Sequence, residues 1–285
     1  MSLEIRQAQS SDAAICARIC FEAFGALHRE QGFAPIFPSM DVITNRVTSL
    51  IANPNIFSIV AEDEGRIVGV GFLSETDPVR GVGPIAVDPA AQTGGVGRKL
   101  MDAVLQRAGT LPTRLLQETF NMRSMALYAS LGFDVNDLYV LVSGRPSVQL
   151  AGYEVRPMIE GDLEECERLQ KSAIGFSRIN ELHTALKAGS PWVAVRGGNI
   201  AAFIASPFLW IGSHGAADDA QSLAALLSGA AQQSDKDVAF LLPARSATLF
   251  RWALANGMKA GRPMTLMSKG EYSPPKCIYV PSVVY

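Results

Sequence analysis

The sequence has few of the residues that build metal centres and covalent cross-links. Its 285 residues include four cysteines and three histidines. Cys16 and Cys20 have the i, i+4 spacing of one helix face, whereas Cys166 and Cys277 stand alone. This pattern favours reduced, packed thiols over a disulfide framework, and we expect no bound metal.

Charged residues and long apolar runs are also scarce. Asp, Glu, Lys and Arg make up 18% of the chain, the formal net charge is −2, and the basic residues are scattered. This argues against nucleic acid or a membrane surface as a partner. The most apolar stretch, residues 200–211, is interrupted by Ser206-Pro207 and is too short to span a bilayer. Since the first residues also lack a signal-peptide core, we expect a cytoplasmic protein.

The most informative stretch runs from Val82 to Ala108. It begins with a short apolar pattern that predicts a buried strand, which Asp88-Pro89 ends. A glycine-rich loop then opens directly into an amphipathic helix, whose apolar face contains Leu100, Met101, Val104, Leu105 and Ala108. The first N–H groups of a helix have no intrahelical partner and lie at the positive end of its dipole, and glycines let an anion approach them. The loop is therefore predicted to hold a phosphate.

Two other phosphate-binding patterns fit this stretch less well. A Walker loop requires Gly-Lys-Ser/Thr, which does not follow at the required spacing. Gly81-x-Gly83-x-x-Ala86 matches a loose dinucleotide fingerprint, but its glycines lead into a strand instead of connecting a strand to a helix.

Two motifs in the right order resemble the GNAT N-acetyltransferase superfamily. Gln92-x-x-Gly95-x-Gly97 is similar to its acyl-CoA pyrophosphate loop, whose usual form is Arg or Gln, two residues, Gly, one residue, then Gly or Ala. Residues 121–133, NMRSMALYASLGF, are similar to the family pattern of Asn, then Ala-x-Tyr or Leu-Tyr, then Gly-Phe. The wider sequence also resembles a bacterial subgroup with tandem GNAT domains.

The resemblance implies an α/β (α+β) fold, in which each domain is a twisted mixed, largely antiparallel sheet flanked by helices. It implies acetyl-CoA as cosubstrate. In that fold, the strand equivalent to residues 82–87 splays from the next one, and the Val87 N–H would face the thioester oxygen. The cofactor-binding residues implied are Ile85, Ala86, Val87, Gln92, Thr93, Gly94, Gly95, Val96, Gly97, Arg98, Asn121 and Tyr128.

Catalysis requires a group that protonates the departing thiolate and one that takes a proton from the amine. By the resemblance, Tyr128 is the candidate acid, although a core tyrosine is the structural alternative. Glu118, near the end of a predicted strand, is the candidate base, and a surface carboxylate is its alternative. His28 could do the same work from an aperiodic segment. Arg98 and Lys99 could reach the 3′-phosphate of CoA or be solvated charges.

The second half of the chain repeats the first. Residues 153–156, YEVR, echo residues 3–6, LEIR, and Asp162 and Cys166 echo Asp12 and Cys16 at the same offset. We expect a catalytic domain at 1–147 and a degenerate domain at 153–285, which resembles the C-terminal domain of tandem GNAT proteins related to YitH. Where a phosphate loop should stand, residues 211–219 have few glycines and two carboxylates, which would repel a pyrophosphate.

The predicted activity is acetyl transfer from acetyl-CoA to the primary amine of a small molecule, by direct attack in a ternary complex. A non-catalytic acyl-CoA sensor or interaction protein is the alternative. Longer acyl chains and a protein amine as acceptor stay open, and so does a homodimer.

Overall fold

The computed structural model describes residues 3–92 and 94–283, and it divides into two compact units. The first unit comprises the chain up to Leu115 together with Phe120–Leu131. The second comprises Leu116–Thr119 and the chain from Gly132 onward. The predicted domains, 1–147 and 153–285, follow the sequence repeat and stay a prediction.

The first unit is built on an antiparallel sheet with the strand order β1-β2-β3-β4, to which the start of β5 adds in parallel. The hairpin β2–β3 turns at Glu64 and Gly65, both with positive φ. The elements are β1 (Glu4–Gln7), α1 (Ala13–Glu30), α2 (Met40–Ala52), β2 (Ile56–Asp63), β3 (Arg66–Ser74), β4 (Arg80–Val87), α3 (Val96–Ala108), β5 (Thr113–Glu118) and α4 (Met122–Ser130).

The helices of the first unit bury apolar stripes, with two differences from the sequence pattern. In α3, Val96 joins the buried face, while Leu105 is only partly buried. The helix α1 continues through Gly25 and the buried His28 to Glu30, although that segment lacks a clear period. His28 makes aromatic contacts with Phe24 of the same helix and with the distant Phe120, and such tertiary packing outweighs weak local patterning.

The second unit contains a five-stranded antiparallel sheet, β13-β10-β9-β8-β7, and the three strands β12-β6-β11. Its elements are β6 (Asp134–Gly144), β7 (Tyr153–Pro157), α5 (Leu163–Ile174), α6 (Ile179–Lys187), β8 (Trp192–Arg196), β9 (Asn199–Ile204), β10 (Gly215–Ala217), α7 (Ala220–Gln232), β11 (Val238–Pro243), α8 (Ala247–Ala255), β12 (Lys259–Lys269) and β13 (Ile278–Val280). Two sheets flanked by helices confirm the predicted fold class.

The order of elements confirms the internal repeat. From β1 to β6 and from β7 to β12, strands and α-helices follow in the same sequence, and among the strands and α-helices of the described residues only β13 has no counterpart. An ion pair is repeated too: Arg6 Nη1 lies 2.7 Å from Asp12 Oδ2, and Arg156 Nη1 lies 2.7 Å from Asp162 Oδ2. In each copy the aspartate also accepts a backbone N–H three residues before it, at 2.8 Å. The repeat is therefore present in the structure as well as in the amino-acid sequence.

Among the helices of the described ranges, none is long and apolar enough to cross a membrane. Cys16, Cys20 and Cys166 are buried free thiols, and burial raises the pKa of Cys16 to about 12.

Asp12 should make a pH-dependent contribution to stability. Its hydrogen bond with Arg6 holds its carboxyl pKa below the ordinary value. A lowered folded-state pKa means that the stabilisation is present above pH ~4 and is lost as the pH falls through the folded-state pKa. We expect Asp12→Asn to lower the free energy of unfolding by about 1–3 kcal/mol at pH 7, and the difference to shrink in acid.

Thermal unfolding of both proteins from pH 7 to pH 3 measures this effect. Asp102→Asn, at an exposed position of α3, is the matched control and should change little. A destabilisation by Asp12→Asn that is constant over this range would contradict the assignment.

Candidate functional site

One edge of the strand β4 diverges from the neighbouring strand β5. It pairs with β5 only at Arg80↔Thr113 and Gly81↔Arg114, whereas it pairs with β3 along most of its length. The ladder to β3 shifts register between Gly71 and Leu73, opposite Gly83-Pro84, where Gly83 has a φ of 137°. A bulge of this kind bends the strand and increases its twist. The predicted splay of residues 82–87 from the next strand is therefore present.

The backbone of Val87 points to this open side. The N–H of Asp88 donates to Val68 O on β3 at 2.9 Å, and successive residues of a strand direct their hydrogen-bonding groups to opposite edges. Val87 therefore faces away from β3, and its carbonyl accepts from Gln92 Nε2 at 3.3 Å. By the same alternation Ile85 also faces the open side, while the backbone groups of Ala86 face β3.

The loop after β4 positions the start of α3 next to the open edge of β4. Gly95 is the N-cap of α3 with φ 77°, a left-handed conformation that favours glycine, and open space surrounds the position of an added Cβ. Gly97 lies within the first turn, where an added Cβ would be 3.6 Å from Leu127 and 3.8 Å from Val87. A helix N-terminus with exposed N–H groups next to a free strand edge can receive an anion joined to an extended chain. Thr93, also predicted here, lies outside the described residues.

Arg123 holds this loop, and the sequence patterns did not single it out. It stands in the first turn of α4, where its guanidinium donates to the Gln92 side-chain oxygen at 3.3 Å and also to the Gln92 carbonyl. Arg98, a predicted phosphate ligand, donates to Ser130 Oγ at 2.6 Å at the other end of α4. Lys99 donates to the carbonyl of Leu3. Two exposed arginines thus flank the start of α3.

Asn121 and Tyr128 are placed by α4. The Asn121 side chain accepts the N–H of Ser124 at 3.1 Å and so caps the helix, while its contact with the cofactor stays a prediction. Tyr128 is buried, and burial raises its pKa to about 12, with a hydrogen bond to Ser124 acting in the opposite direction. Tyr128 therefore keeps its proton throughout the neutral range and can donate a hydrogen bond.

The two candidate bases differ in their surroundings. Glu118 belongs to the second unit, where Arg262 Nη1 donates to its Oε1 at 2.8 Å and both residues are buried. His28 is fully buried in α1, and its Nδ1 accepts the N–H of Ile36 at 3.1 Å. A ring nitrogen that accepts a backbone N–H carries no proton, so this contact orders the segment after α1 and does not leave that nitrogen to take a proton from an amine.

The equivalent positions in the second copy have different chemistry. Ser246 is the N-cap of α8, as Asn121 is of α4, and the buried Ala253 stands where α4 has Tyr128. At the start of α7, Asp219 is the N-cap residue and accepts the N–H of Ser222. Asp218 and Asp219 both pair with Arg196. Carboxylates occupy the anion-attracting end of this helix.

Residues 22–133 match the model of the acetyltransferase (GNAT) family. The matched segment contains β4, the glycine loop, α3, and α4 with Tyr128, and it supports acyltransferase as the class of enzyme. The sequence matches none of the curated proteins with which it was compared.

Solved structures extend the likeness to most of the chain. A proposed acetyltransferase from Pyrococcus horikoshii is 18% identical, with 95% of this chain and 90% of that chain covered and a TM-score of 0.70. A GCN5-related N-acetyltransferase from Sphaerobacter thermophilus is 14% identical, with 95% and 96% covered and a TM-score of 0.63. A tandem GNAT protein from the clavulanic acid biosynthesis pathway is 15% identical, with 95% and 100% covered and a TM-score of 0.57. At these identities the likeness shows the fold, which is that of GNAT proteins; relation to YitH stays a prediction.

The loop conformation can be tested with two glycines that are adjacent in sequence. Gly95→Ala places a side chain at φ 77° and should lower the free energy of unfolding by about 1–2 kcal/mol. Gly94→Ala has an ordinary backbone conformation and a Cβ contact of 3.6 Å to Ala91 O, so it should be neutral within ~0.5 kcal/mol. Urea unfolding measures both, and equal losses would contradict the left-handed assignment.

Proposed function

We propose that this protein transfers an acetyl group from acetyl-CoA to the primary amine of a small molecule, by direct attack in a ternary complex. The observation that supports this most strongly is the position of the open β4 edge next to the glycine-capped N-terminus of α3, inside the segment that matches the acetyltransferase family. An extended pantetheine and its pyrophosphate need this pair of features together.

The residues present fit the cosubstrate. Ile85 and Val87 offer backbone groups to the pantetheine, and the N–H of Val87 polarises the thioester carbonyl. Gly94–Gly97 would hold the pyrophosphate at the positive end of α3, where the Gly95 position leaves open space. Arg123 keeps Gln92 in place, and Arg98 supplies positive charge at the edge of the loop. When bound, acetyl-CoA supplies the thioester that the amine attacks.

Tyr128 assists departure of the sulfur as a hydrogen-bond donor. Its pKa of about 12 lies above the ~8.5 of a thiol, so complete proton transfer to a free thiolate would be unfavourable by on the order of 5 kcal/mol. A hydrogen bond donated while the C–S bond breaks stabilises the developing negative charge without that cost. The attacking amine loses one proton to a base, and that base returns a proton, directly or through water, to the departing thiolate, so that free thiol is the product.

Glu118 is the group that we propose to receive the amine proton, directly or through water. The ion pair with Arg262 holds its carboxylate in a single position. The same contact, 2.8 Å between Arg262 Nη1 and Glu118 Oε1, also fits a purely structural role for Glu118, which is compatible with a sensor. Catalysis by Glu118 therefore requires that the amine compete with Arg262 for the carboxylate.

The function is tested by release of free thiol from acetyl-CoA in the presence of amino acids, polyamines, aminoglycosides, aryl amines and peptides, with calorimetry of CoA binding alongside. Turnover with one class of small amine supports the proposal and identifies the acceptor. Tight binding of CoA without turnover would favour a sensor, and turnover with peptides alone would overturn the small-molecule assignment. Absence of CoA binding would overturn the proposed site.

Tyr128→Phe should lower kcat by about 10²-fold and leave the Kd for CoA within twofold, because the hydroxyl contributes only as the C–S bond breaks. Tyr153→Phe, in the second unit, removes a hydroxyl of the same kind and should leave kcat unchanged. Because burial raises the pKa of Tyr128 to about 12, ionisation of this residue should not lower the wild-type rate between pH 7 and pH 10. A pH-dependent fall that disappears in Tyr128→Phe would contradict this role.

Glu118→Gln should lower kcat by about 10²-fold. The substitution also leaves Arg262 buried without its counter-ion, which alone costs about 3–5 kcal/mol of stability. The double variant Glu118→Gln with Arg262→Met separates the two effects, since it removes both charges. If Glu118 is the base, kcat stays low in the double variant while stability recovers; recovery of both would assign a structural role.

A further inference from the structure

The strand β13 occupies the edge of the second copy that corresponds to the open edge of β4. It pairs antiparallel with β10 through Gly215↔Val280, Ala216↔Tyr279 and Ala217↔Ile278, while β9 pairs with the other edge of β10. In the order of the repeat, β10 corresponds to β4 and β11 to β5. The first copy therefore has a free strand edge where the second copy has a strand of its own chain.

This strand fills the space between β10 and β11. Val280 is fully buried in the same apolar cluster as Phe240 and Leu242 of β11, and Ile278 packs against that cluster. Tyr279 is also buried. Since β10 and β11 lie in different ladders, a gap between them would expose apolar side chains and backbone groups. The strand covers both.

A buried arginine fixes β13 in this position. Arg178, fully buried at the start of α6, donates to the Tyr279 hydroxyl at 2.6 Å and to Ser282 Oγ at 2.7 Å, and it pairs with Glu181. Ser282 Oγ in turn donates to Glu181 at 3.0 Å, and His214 Nδ1 lies 3.3 Å from the same carboxylate oxygen. An arginine is seldom buried without such partners.

Two backbone hydrogen bonds outside the ladder attach the same segment. The N–H of Lys276 donates to Ala173 O at 2.9 Å, and the N–H of Val283 donates to Ile211 O at 3.0 Å. The strand is thus held before, along and after its pairing with β10.

We propose that β13 is a built-in occupant of the acyl-CoA-type cleft of the second copy, held there by Arg178, so that the chain has one acyl-CoA site, in the first copy. The identification of the cleft rests on the proposed function of the first copy. The strand β13 pairs with the edge of β10 that corresponds to the proposed pantetheine-binding edge of β4. Asp218 and Asp219, paired with Arg196, occupy the helix N-terminus that corresponds to the proposed pyrophosphate site.

Hydrogen exchange of the full-length protein tests the attachment. The double variant Tyr279→Phe with Ser282→Ala removes both hydroxyls that accept from Arg178 and keeps the Arg178–Glu181 pair. Exchange of the amides of residues 278–280 should become at least tenfold faster, while the amides of β11 change less than twofold. Tyr153→Phe, on the opposite edge strand of the same sheet, is the matched control and should leave residues 278–280 unchanged. Unchanged protection of β13 in the double variant would overturn the attachment by Arg178.

Calorimetry with CoA tests the occupancy. The wild-type protein should bind one CoA per chain, and Gly95→Trp, which blocks the loop of the first copy, should bind none. Two CoA per chain, or one remaining in Gly95→Trp, would show that the second cleft is open and overturn the proposal. If wild type binds none while β13 is protected from exchange, the proposed function fails and the attachment of β13 stands.

Discussion

The site depends on the backbone hydrogen bonds that β4 does not make with β5. Backbone groups at a strand edge hydrogen-bond to another strand, to a ligand or to water, and a parallel pairing that stops after two residues leaves an array of donors and acceptors for one of the other two. The bulge at Gly83-Pro84 follows shortly after Gly81, the last residue paired with β5, and α3 begins beyond the end of the same strand. Strand edge, loop and helix terminus are therefore consequences of a single divergence.

The two copies differ in what is available to hydrogen-bond with the backbone groups of this strand edge. In the first, the edge stays available and the loop beyond it has glycines and arginines around a helix N-terminus. In the second, β13 completes the sheet and the helix N-terminus is balanced by aspartates paired with Arg196. The shared ion pairs Arg6–Asp12 and Arg156–Asp162 show that the scaffold is kept while the chemistry is changed. Fold and function are thus separable within one chain.

Local patterns predicted the elements of the first copy well. The strand before Asp88 and the amphipathic helix after the glycine-rich loop follow from apolar periodicity and chain-breaking residues, which act within a few positions. The contacts of Arg123 with Gln92 and of Glu118 with Arg262 join residues 31 and 144 positions apart, and no local rule reports such pairs. The strand β13 is three residues long, too short for an alternating pattern to identify. What the sequence could not predict is therefore long-range pairing, including the ion pair that constrains Glu118.

The place of β13 in the chain also affects how the second unit folds. Arg178 and Tyr279 are 101 positions apart, so their contact closes a long loop and forms slowly compared with the hairpins β8–β9 and β9–β10. During synthesis the edge of β10 emerges well before the strand that covers it. Until then the nascent second unit presents a free β edge lined by apolar residues, the kind of surface that pairs with other chains and that chaperones protect.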